Sequence, residues 1–448
     1  MKALANRMSA SPRYSKVFRW SKLISITGGA QAIVQGAGLI CGILVIRLLP
    51  VNEYAWYTIA NTMLGTISLL ADGGISTGVM TEGGKIWQNR DKLGVVLITG
   101  LYLRKKFAFW SLIVSTPILV YLLMHNGANW LSILLITASL IPAFFAALSD
   151  SLLEIVPKLH QDIISLQKNQ LTVGIGRLIL TGILLFIFPF TFIALLASGI
   201  PRAYGNINLK NITNAFARKD QNPDLTVQKN ILKIVKRILP SSIYFCISSQ
   251  ITIWLISIFG STESIAQVGA LGRLGMIFNI LTVVFVTIVV PRFARLPNSK
   301  ILLRNRFLQI QIAILALCGL LVLLVSIFPN QILWIIGEKY KNLSPVLVIA
   351  MSSSIGSFLL GSLYSISTSR GWIIHPILSI SVGIFSQIIL ILLLNFSTVR
   401  GVYYFSLIQT LIGIFLSYLF VFYVFQSKRF FTKSNVRNQN DQKINISY

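Results

Sequence analysis

Long apolar runs recur along the whole chain and are separated by short polar segments. A run of about 20 apolar residues can cross the hydrocarbon core of a bilayer as a helix. The pattern therefore predicts an all-α polytopic membrane protein without a soluble domain. The twelve predicted spans are residues 23–49, 55–80, 107–124, 130–150, 171–188, 190–206, 239–259, 264–290, 308–328, 344–368, 373–395 and 401–425.

The composition supports a membrane protein. Of the 448 residues, 54% are hydrophobic and 11% are charged, whereas soluble domains carry roughly 25% charged residues. The three cysteines, Cys41, Cys246 and Cys318, all lie inside apolar runs, so we expect no disulfide framework.

We attribute the net charge of +27 to the topology of the protein in the membrane rather than to nucleic-acid binding. Of the 39 lysines and arginines, four (Arg47, Lys339, Lys341 and Arg400) lie on the side opposite the N-terminus, and two lie within spans. Because basic loops stay in the cytoplasm, we expect both termini there. The basic N-terminal segment lacks a cleavage site for a signal peptide, so we expect an uncleaved first span. Anionic lipids are the partner that this charge favours.

The widest polar gap divides the chain into two halves of six spans. We expect an N-terminal lobe at 1–206, a basic cytoplasmic linker at 207–238, a C-terminal lobe at 239–425 and a cytoplasmic tail at 426–448. A weak echo between "NEYAWYTIANTMLG" and "TESIAQVGALGRLG" supports two related lobes. Such repeats are typical of transporters.

Searches for enzyme and cofactor motifs find nothing. The sequence has no GxxxxGK[ST] motif for ATP. The histidines, His125, His160 and His375, have no metal-ligand spacing with acids or cysteines. We expect neither a cofactor nor a metal. The predicted outer loops are too short to hold the acceptor of a glycan polymerase or ligase.

Polar residues line one face of several spans. Two interpretations remain open: small residues that let helices pack closely, or the wall of a water-filled cavity. Glutamines and acids favour the cavity, and the first span contributes Gln31 and Gln35. The second span has five such residues at spacings of 3, 4, 3 and 4: Thr58, Asn61, Gly65, Ser68 and Asp72.

Ionisable residues within spans are costly and usually face an interior or a transport path. Arg273 lies ten residues after Glu263, about 15 Å along a helix. It therefore serves either a transport path or a structural ion pair. Arg177 is shallower, and snorkelling to the surface is an alternative to function. Arg47 lies at the outer end of its span, where it either belongs to a gate or brace or anchors the span. We expect Asp72 at the cytoplasmic mouth of the cavity, paired with a basic neighbour in a gate or brace.

The segment "VIRLLPVNEYAWYTIANTMLGTISLLADGGIST" resembles the polysaccharide-exporter family of lipid-linked oligosaccharide flippases. These are O-antigen and capsule repeat-unit translocases of the MATE-like flippase superfamily. An alanine follows Glu-Tyr where that family usually has glycine. The residues that carry the resemblance are Arg47, Leu48, Leu49, Glu53, Tyr54, Tyr57, Asp72 and Gly74.

The resemblance implies a MATE-like fold that flips an oligosaccharide on undecaprenyl diphosphate across the bacterial cytoplasmic (inner) membrane. Arg273 and Arg177 would bind the diphosphate, because arginine suits phosphate oxygens. Gln31, Gln35, Asn61 and Ser68 would contact sugar hydroxyls. Further candidate partners are a glycan polymerase and chain-length machinery. The alternatives are an ion-coupled drug or metabolite antiporter of the same superfamily and a membrane glycan polymerase or ligase.

Overall fold

The computed structural model describes residue 29 and residues 33–427, except 219, 295, 298, 371 and 373. This part of the chain is helical and contains no strand. The first eight helices are α1 (Ile33–Leu48), α2 (Val51–Asp72), α3 (Ile75–Ile86), α4 (Arg90–His125), α5 (Trp130–Leu153), α6 (Ile155–Leu159), α7 (Ile163–Ile187) and α8 (Thr191–Asn214). The next are α9 (Leu225–Phe259), α10 (Thr262–Gly275), α11 (Phe278–Ala294), α12 (Lys300–Ile327), α13 (Pro329–Ile336), a 3-10 helix (Glu338–Leu343), α14 (Ser344–Ser369), α15 (Pro376–Leu393) and α16 (Val399–Gln426).

Polar side chains mark where several of these helices begin. The Asn89 side chain accepts hydrogen bonds from the backbone N–H groups of Asp91 and Lys92, at 3.1 and 3.0 Å, and so caps α4. Asn129 caps α5 in the same way, and Asp162 caps α7. These contacts satisfy N–H groups that have no partner within the helix.

Within the described residues, nine helical segments are long and apolar enough to cross a membrane. The pair α2 and α3, bent by 44°, adds a tenth if it forms one span. All twelve predicted spans overlap a helix. Large apolar side chains point outward, among them Phe186 (81% exposed), Leu392 (80%) and Trp130 (70%). Such surfaces suit lipid rather than water, and the chain is a multi-pass membrane protein.

The helices extend beyond the apolar runs that predicted them. The third predicted span begins at 107, whereas α4 begins at Arg90. Within the predicted linker, α8 continues to Asn214 and α9 begins at Leu225, so of its described residues only 215–218 and 220–224 lie outside a helix. Charged residues such as Arg90 and Lys229 therefore lie inside continuing helices.

Contacts between Cα atoms divide the chain into two compact units, Met1–Ile251 and Thr252–Tyr448. The division falls within α9, later than the predicted start of the second lobe at 239. In the first unit, a buried core joins α3, α4, α5, α7 and α9. In the second unit, α14 packs against α10, α11, α12 and α16.

Candidate functional site

The break between α2 and α3 is built around Asp72. Gly73 and Gly74 adopt φ values of 48° and 96°, in the left-handed region that favours glycine, and end α2. The Asp72 carboxylate accepts hydrogen bonds from the backbone N–H groups of Gly74 (3.3 Å) and Ser76 (3.2 Å) and from the Ser76 hydroxyl. Asp72 therefore stabilises the N-terminus of α3.

The cation that faces Asp72 is Arg104 of α4. Its Nη1 lies 3.4 Å from Asp72 Oδ1 and donates to the hydroxyls of Ser76 and Ser151. Arg104 is only 4% exposed, and its Nε has no hydrogen-bond partner in the described part of the chain. A basic neighbour of Asp72 is what the sequence predicts, and the role of the pair as a gate or brace stays a prediction.

A second charged cluster joins α5 to α8. Asp150 accepts hydrogen bonds from Arg202 Nε at 3.0 Å and from Asn206 Nδ2 at 2.6 Å. Asn206 also donates to Ser149. The Arg202 charge is therefore offset by a neighbouring carboxylate.

Glu154, one helical turn after Asp150, is paired as well. It contacts Lys158 Nζ at 2.7 Å and accepts a hydrogen bond from Gln170 Nε2 at 3.3 Å. Gln170 Oε1 is buried and has no hydrogen-bond partner among the described residues. An acceptor atom is thus left available at this point of α7.

These residues surround a cavity of about 300 Å³ inside the first unit. Its walls come from α1, α2, α5, α7 and α8. Glycines allow the walls to approach closely: a Cβ on Gly205 of α8 would lie 2.1 Å from the Val173 side chain of α7. The polar lining includes Asn61, Asp150, Glu154, Gln170, Arg177 and Arg202.

Arg177 differs from the other charged residues of the lining. Its Nε is buried without a hydrogen-bond partner, and no carboxylate of the described residues lies within the 4.0 Å of an ion pair. It lies fourteen residues after Ile163, about 21 Å along α7. The cavity therefore has one cation that the protein itself does not neutralise within its described part.

The other residues predicted from the sequence are placed in different ways. Asn61 lines the cavity with Arg177. Ser68 donates to the Leu64 carbonyl at 2.7 Å, and neither Ser68 nor the exposed Gln35 is part of the lining. Gln31 lies outside the described residues. Arg47 is exposed near the end of α1.

Arg273 belongs to the second unit, whereas Arg177 belongs to the first. It is half-buried near the end of α10, and its Nη1 lies 3.6 Å from Met276 Sδ. Two residues later α10 ends at Gly275, where a Cβ would lie 2.5 Å from Ser354 Oγ. Its predicted role in substrate binding stays a prediction.

The sequence pattern did not single out the charged residues Arg104, Asp150, Glu154 and Arg202 as candidates. Arg104 lies before the predicted span 107–124, and the structure places it inside α4. A signal was present in the spacing: Asp150 and Glu154 are four residues apart, as are Arg202 and Asn206. Such pairs continue one helical face beyond the apolar run.

No family model matches the chain, and no curated protein matches it significantly. Solved structures do match. The inward-facing conformation of a multidrug resistance MATE family transporter of the MOP superfamily aligns with a TM-score of 0.64 at 13% identity, covering 88% of this chain and 95% of that chain. The eukaryotic MATE transporter AtDTX14 aligns with a TM-score of 0.59 at 15% identity, covering 90% and 96%. A mutant of a Vibrio cholerae MATE transporter gives 0.59 at 16% identity, with the same coverage.

The chain has the MATE fold. The prediction of an all-α, polytopic, MATE-like protein is thereby confirmed. At these identities the similarity to MATE structures establishes the fold alone. The substrate has to be argued from the chemistry of the cavity in this MATE-fold chain.

Proposed function

We propose that this protein is a membrane transporter that flips an undecaprenyl-diphosphate-linked oligosaccharide across the bacterial cytoplasmic membrane. Both termini would lie in the cytoplasm. The observation that carries the proposal is the unneutralised Arg177 guanidinium in the cavity of the first unit. The MATE fold and the sequence resemblance to oligosaccharide flippases support it.

The position of Arg177 suits a phosphate group. Arg177 is half-buried, and its buried Nε lacks an acceptor among the described residues. A buried donor without an acceptor is costly unless a ligand supplies one. The planar fork of arginine binds phosphate oxygens with two parallel hydrogen bonds. Neighbouring amides, Asn61 and Gln170, offer donors and acceptors for sugar hydroxyls.

The size of the cavity limits what it holds. A volume of about 300 Å³ is at the lower end of ligand sites, which run from about 300 to 1,000 Å³. It accommodates a diphosphate and part of a sugar. A long polyprenyl chain does not fit, so the lipid tail would remain in the bilayer while the head group crosses.

The second candidate is a drug or metabolite antiporter. Two observations favour it: the solved structures named above are MATE transporters, including one described as a multidrug resistance transporter, and two acids, Asp150 and Glu154, line the cavity. A cationic drug or a coupling ion needs a carboxylate that is free to bind it. Here Arg202 and Lys158 already neutralise both acids, so an anionic substrate fits better.

An enzyme is the least favoured alternative. The structural neighbours are transporters. Several connections are too short to hold a glycan acceptor: 126–129 between α4 and α5, 188–190 between α7 and α8, and 260–261 between α9 and α10.

The decisive experiment measures which leaflet accumulates lipid-linked repeat units after loss of the gene. Accumulation on the cytoplasmic leaflet is expected for a flippase, and on the periplasmic leaflet for a polymerase or ligase. Unchanged glycan with altered drug sensitivity would identify the antiporter. Arg177→Ala should lower export about 10- to 100-fold, since a hydrogen bond to a charged group is worth about 1.5–3 kcal/mol.

Two matched variants make this test specific. Arg177→Lys keeps the charge but loses the fork, so export should recover in part. Lys168→Ala removes an exposed cation of the same helix, outside the cavity lining, and export should stay normal. Normal export by Arg177→Ala, at equal abundance in the membrane, would remove Arg177 from the mechanism.

A further inference from the structure

The first turns of α9 carry a stripe of cations. Lys229, Lys233, Lys236 and Arg237 are all exposed, and their spacings of four, three and one residues place them within an arc of about 100° on the helix surface. We call these four residues the α9 basic face. Residues three or four apart on a helix are neighbours, so the charges form one continuous surface.

The opposite side of this segment is fixed to the first unit. Ile231 and Val235 are 0% and 2% exposed and belong to its core. Ile231 packs on Gly78 of α3, where an added Cβ would lie 2.8 Å from its side chain, and Ile238 packs in the same way on Gly74. The helix cannot roll without opening these contacts, so the basic face stays outward.

Acidic partners within the protein do not neutralise the α9 basic face. None of its four cations forms an ion pair with a carboxylate of the described residues. Two acids lie near this segment. Asp224 caps the start of α9, accepting from the Val227 N–H at 2.8 Å, and Glu82 pairs with Lys85 at 2.6 Å. The charge of the α9 basic face is therefore open to an external anionic ligand.

The distance from the membrane core indicates which anion. Beyond Arg237 the same helix continues as an apolar segment to Phe259 and qualifies as a membrane span. The four cations lie about 2 to 14 Å along the axis before Ile238. The head-group layer is about 5–8 Å thick on each side of the core, and the Debye length is about 8 Å at physiological salt. Three of the four cations are within reach of the phosphate layer.

We propose that the α9 basic face binds the phosphate groups of anionic phospholipids at the membrane surface. Clustered cations next to a span attract such head groups, each contributing about fivefold in affinity. The fixed orientation of the helix avoids the entropy cost of ordering a flexible basic segment. The proposal does not depend on which substrate the protein transports.

The test uses the purified full-length protein in detergent, titrated with phosphatidylglycerol or phosphatidylcholine and read by native mass spectrometry. Wild type should retain phosphatidylglycerol preferentially, and salt should weaken the binding. Lys233→Gln should lower the affinity about fivefold, and Lys233→Gln with Arg237→Gln about 25-fold. Replacing Lys229, Lys233 and Lys236 together by Arg keeps the charge and should keep the lipid.

Several outcomes would overturn the proposal. Equal binding of phosphatidylcholine by wild type would show that charge plays no part. Unchanged phosphatidylglycerol binding by the Lys233→Gln, Arg237→Gln variant would place the lipids elsewhere. Loss of an acidic protein partner from this variant, without any change in lipid, would assign the surface to protein binding. The single variant Lys233→Gln changes one exposed residue, so the test does not depend on a variant that fails to fold.

Discussion

Replacing Asp72 by Asn should destabilise the protein more than replacing its partner Arg104 by Met. The two side chains differ in surroundings: that of Arg104 is 5% exposed and that of Asp72 is 26% exposed. Asn keeps the shape and the oxygen that accepts from Ser76, but it removes the charge and replaces the second oxygen, which accepts from the Gly74 N–H, by a donor group. Met keeps the length and apolar stem at position 104 and removes the guanidinium.

The expected magnitudes follow from what each change leaves behind. Asp72→Asn leaves a buried cation with the hydroxyls of Ser76 and Ser151. Removing one partner of a buried pair costs about 3–5 kcal/mol. We expect the lower end, about 3 kcal/mol, because Asp150 adds a second, longer-range attraction to Arg104.

Arg104→Met leaves a carboxylate that is already satisfied. Asp72 keeps its hydrogen bonds from two backbone N–H groups and the Ser76 hydroxyl, and it remains partly in contact with solvent. The loss of folding stability then resembles that from removing an exposed ion pair, about 1 kcal/mol. The double variant should consequently be less destabilised than Asp72→Asn alone.

The assay is the free energy of unfolding by denaturant titration in mixed micelles, for wild type, both single variants and the double variant. The expected coupling energy is about 1–2 kcal/mol. Equal losses from the two single variants, or additive losses in the double variant, would refute the asymmetry.

Three further predictions concern packing, capping and transport. Gly78→Ala should lower the free energy of unfolding by about 1–3 kcal/mol, because the added Cβ would lie 2.8 Å from an isoleucine side chain of α9. The control Gly84→Ala, whose Cβ would lie 3.8 Å from its nearest neighbour, should not lower the melting temperature. Thr191→Val should lower the free energy of unfolding by about 1.5–3 kcal/mol, because it removes the hydroxyl that donates to Glu53 Oε2 at 2.6 Å. Thr191→Ser keeps a hydroxyl and should keep the melting temperature of the wild type. Arg273→Ala should abolish most glycan export at normal membrane abundance and Arg273→Lys should rescue part of it, and full export by the Ala variant would contradict a role in the transport path.

The helices were predictable because a membrane span must satisfy its backbone N–H and C=O groups within a single apolar helix. Each span therefore appears in the sequence as an apolar run. The predicted spans 171–188 and 190–206 are separated at Pro189, and α7 and α8 are separated at the same place. Helix ends were less predictable. A helix that continues beyond the apolar run carries charges that resemble a loop, as at the start of α4 and α9.

The candidate site was harder to predict, because it depends on contacts between residues that are far apart in the chain. Of the stripe on α2, Asn61 lies in the lining of the cavity, and its role in substrate binding stays a prediction. The same stripe gave no sign that the Ser68 hydroxyl bonds to its own helix. The pairing of Asp150 with Arg202 joins positions 52 residues apart. Periodicity within one helix carries no information on such pairs.

The segment that resembles oligosaccharide flippases can now be interpreted physically. It spans α2, and a carboxylate near each end of this helix stabilises the start of another helix. Glu53 accepts hydrogen bonds from the Thr191 N–H (2.7 Å) and hydroxyl at the start of α8, and Asp72 does the same for the start of α3. Partial positive charge at a helix N-terminus favours both contacts.

Neither Glu53 nor Asp72 is part of the cavity lining, so both acids of α2 contact neighbouring helices rather than the cavity. Asn61, between the two carboxylates, lines the cavity, and α8 supplies Arg202 to the same lining. Glu53 ties the start of α8 to the start of α2, and Asp72 ties the start of α3 to Arg104 of α4. The acidic residues of the segment determine the shape of the site, while Arg177 on α7 supplies the charge that we propose meets the substrate.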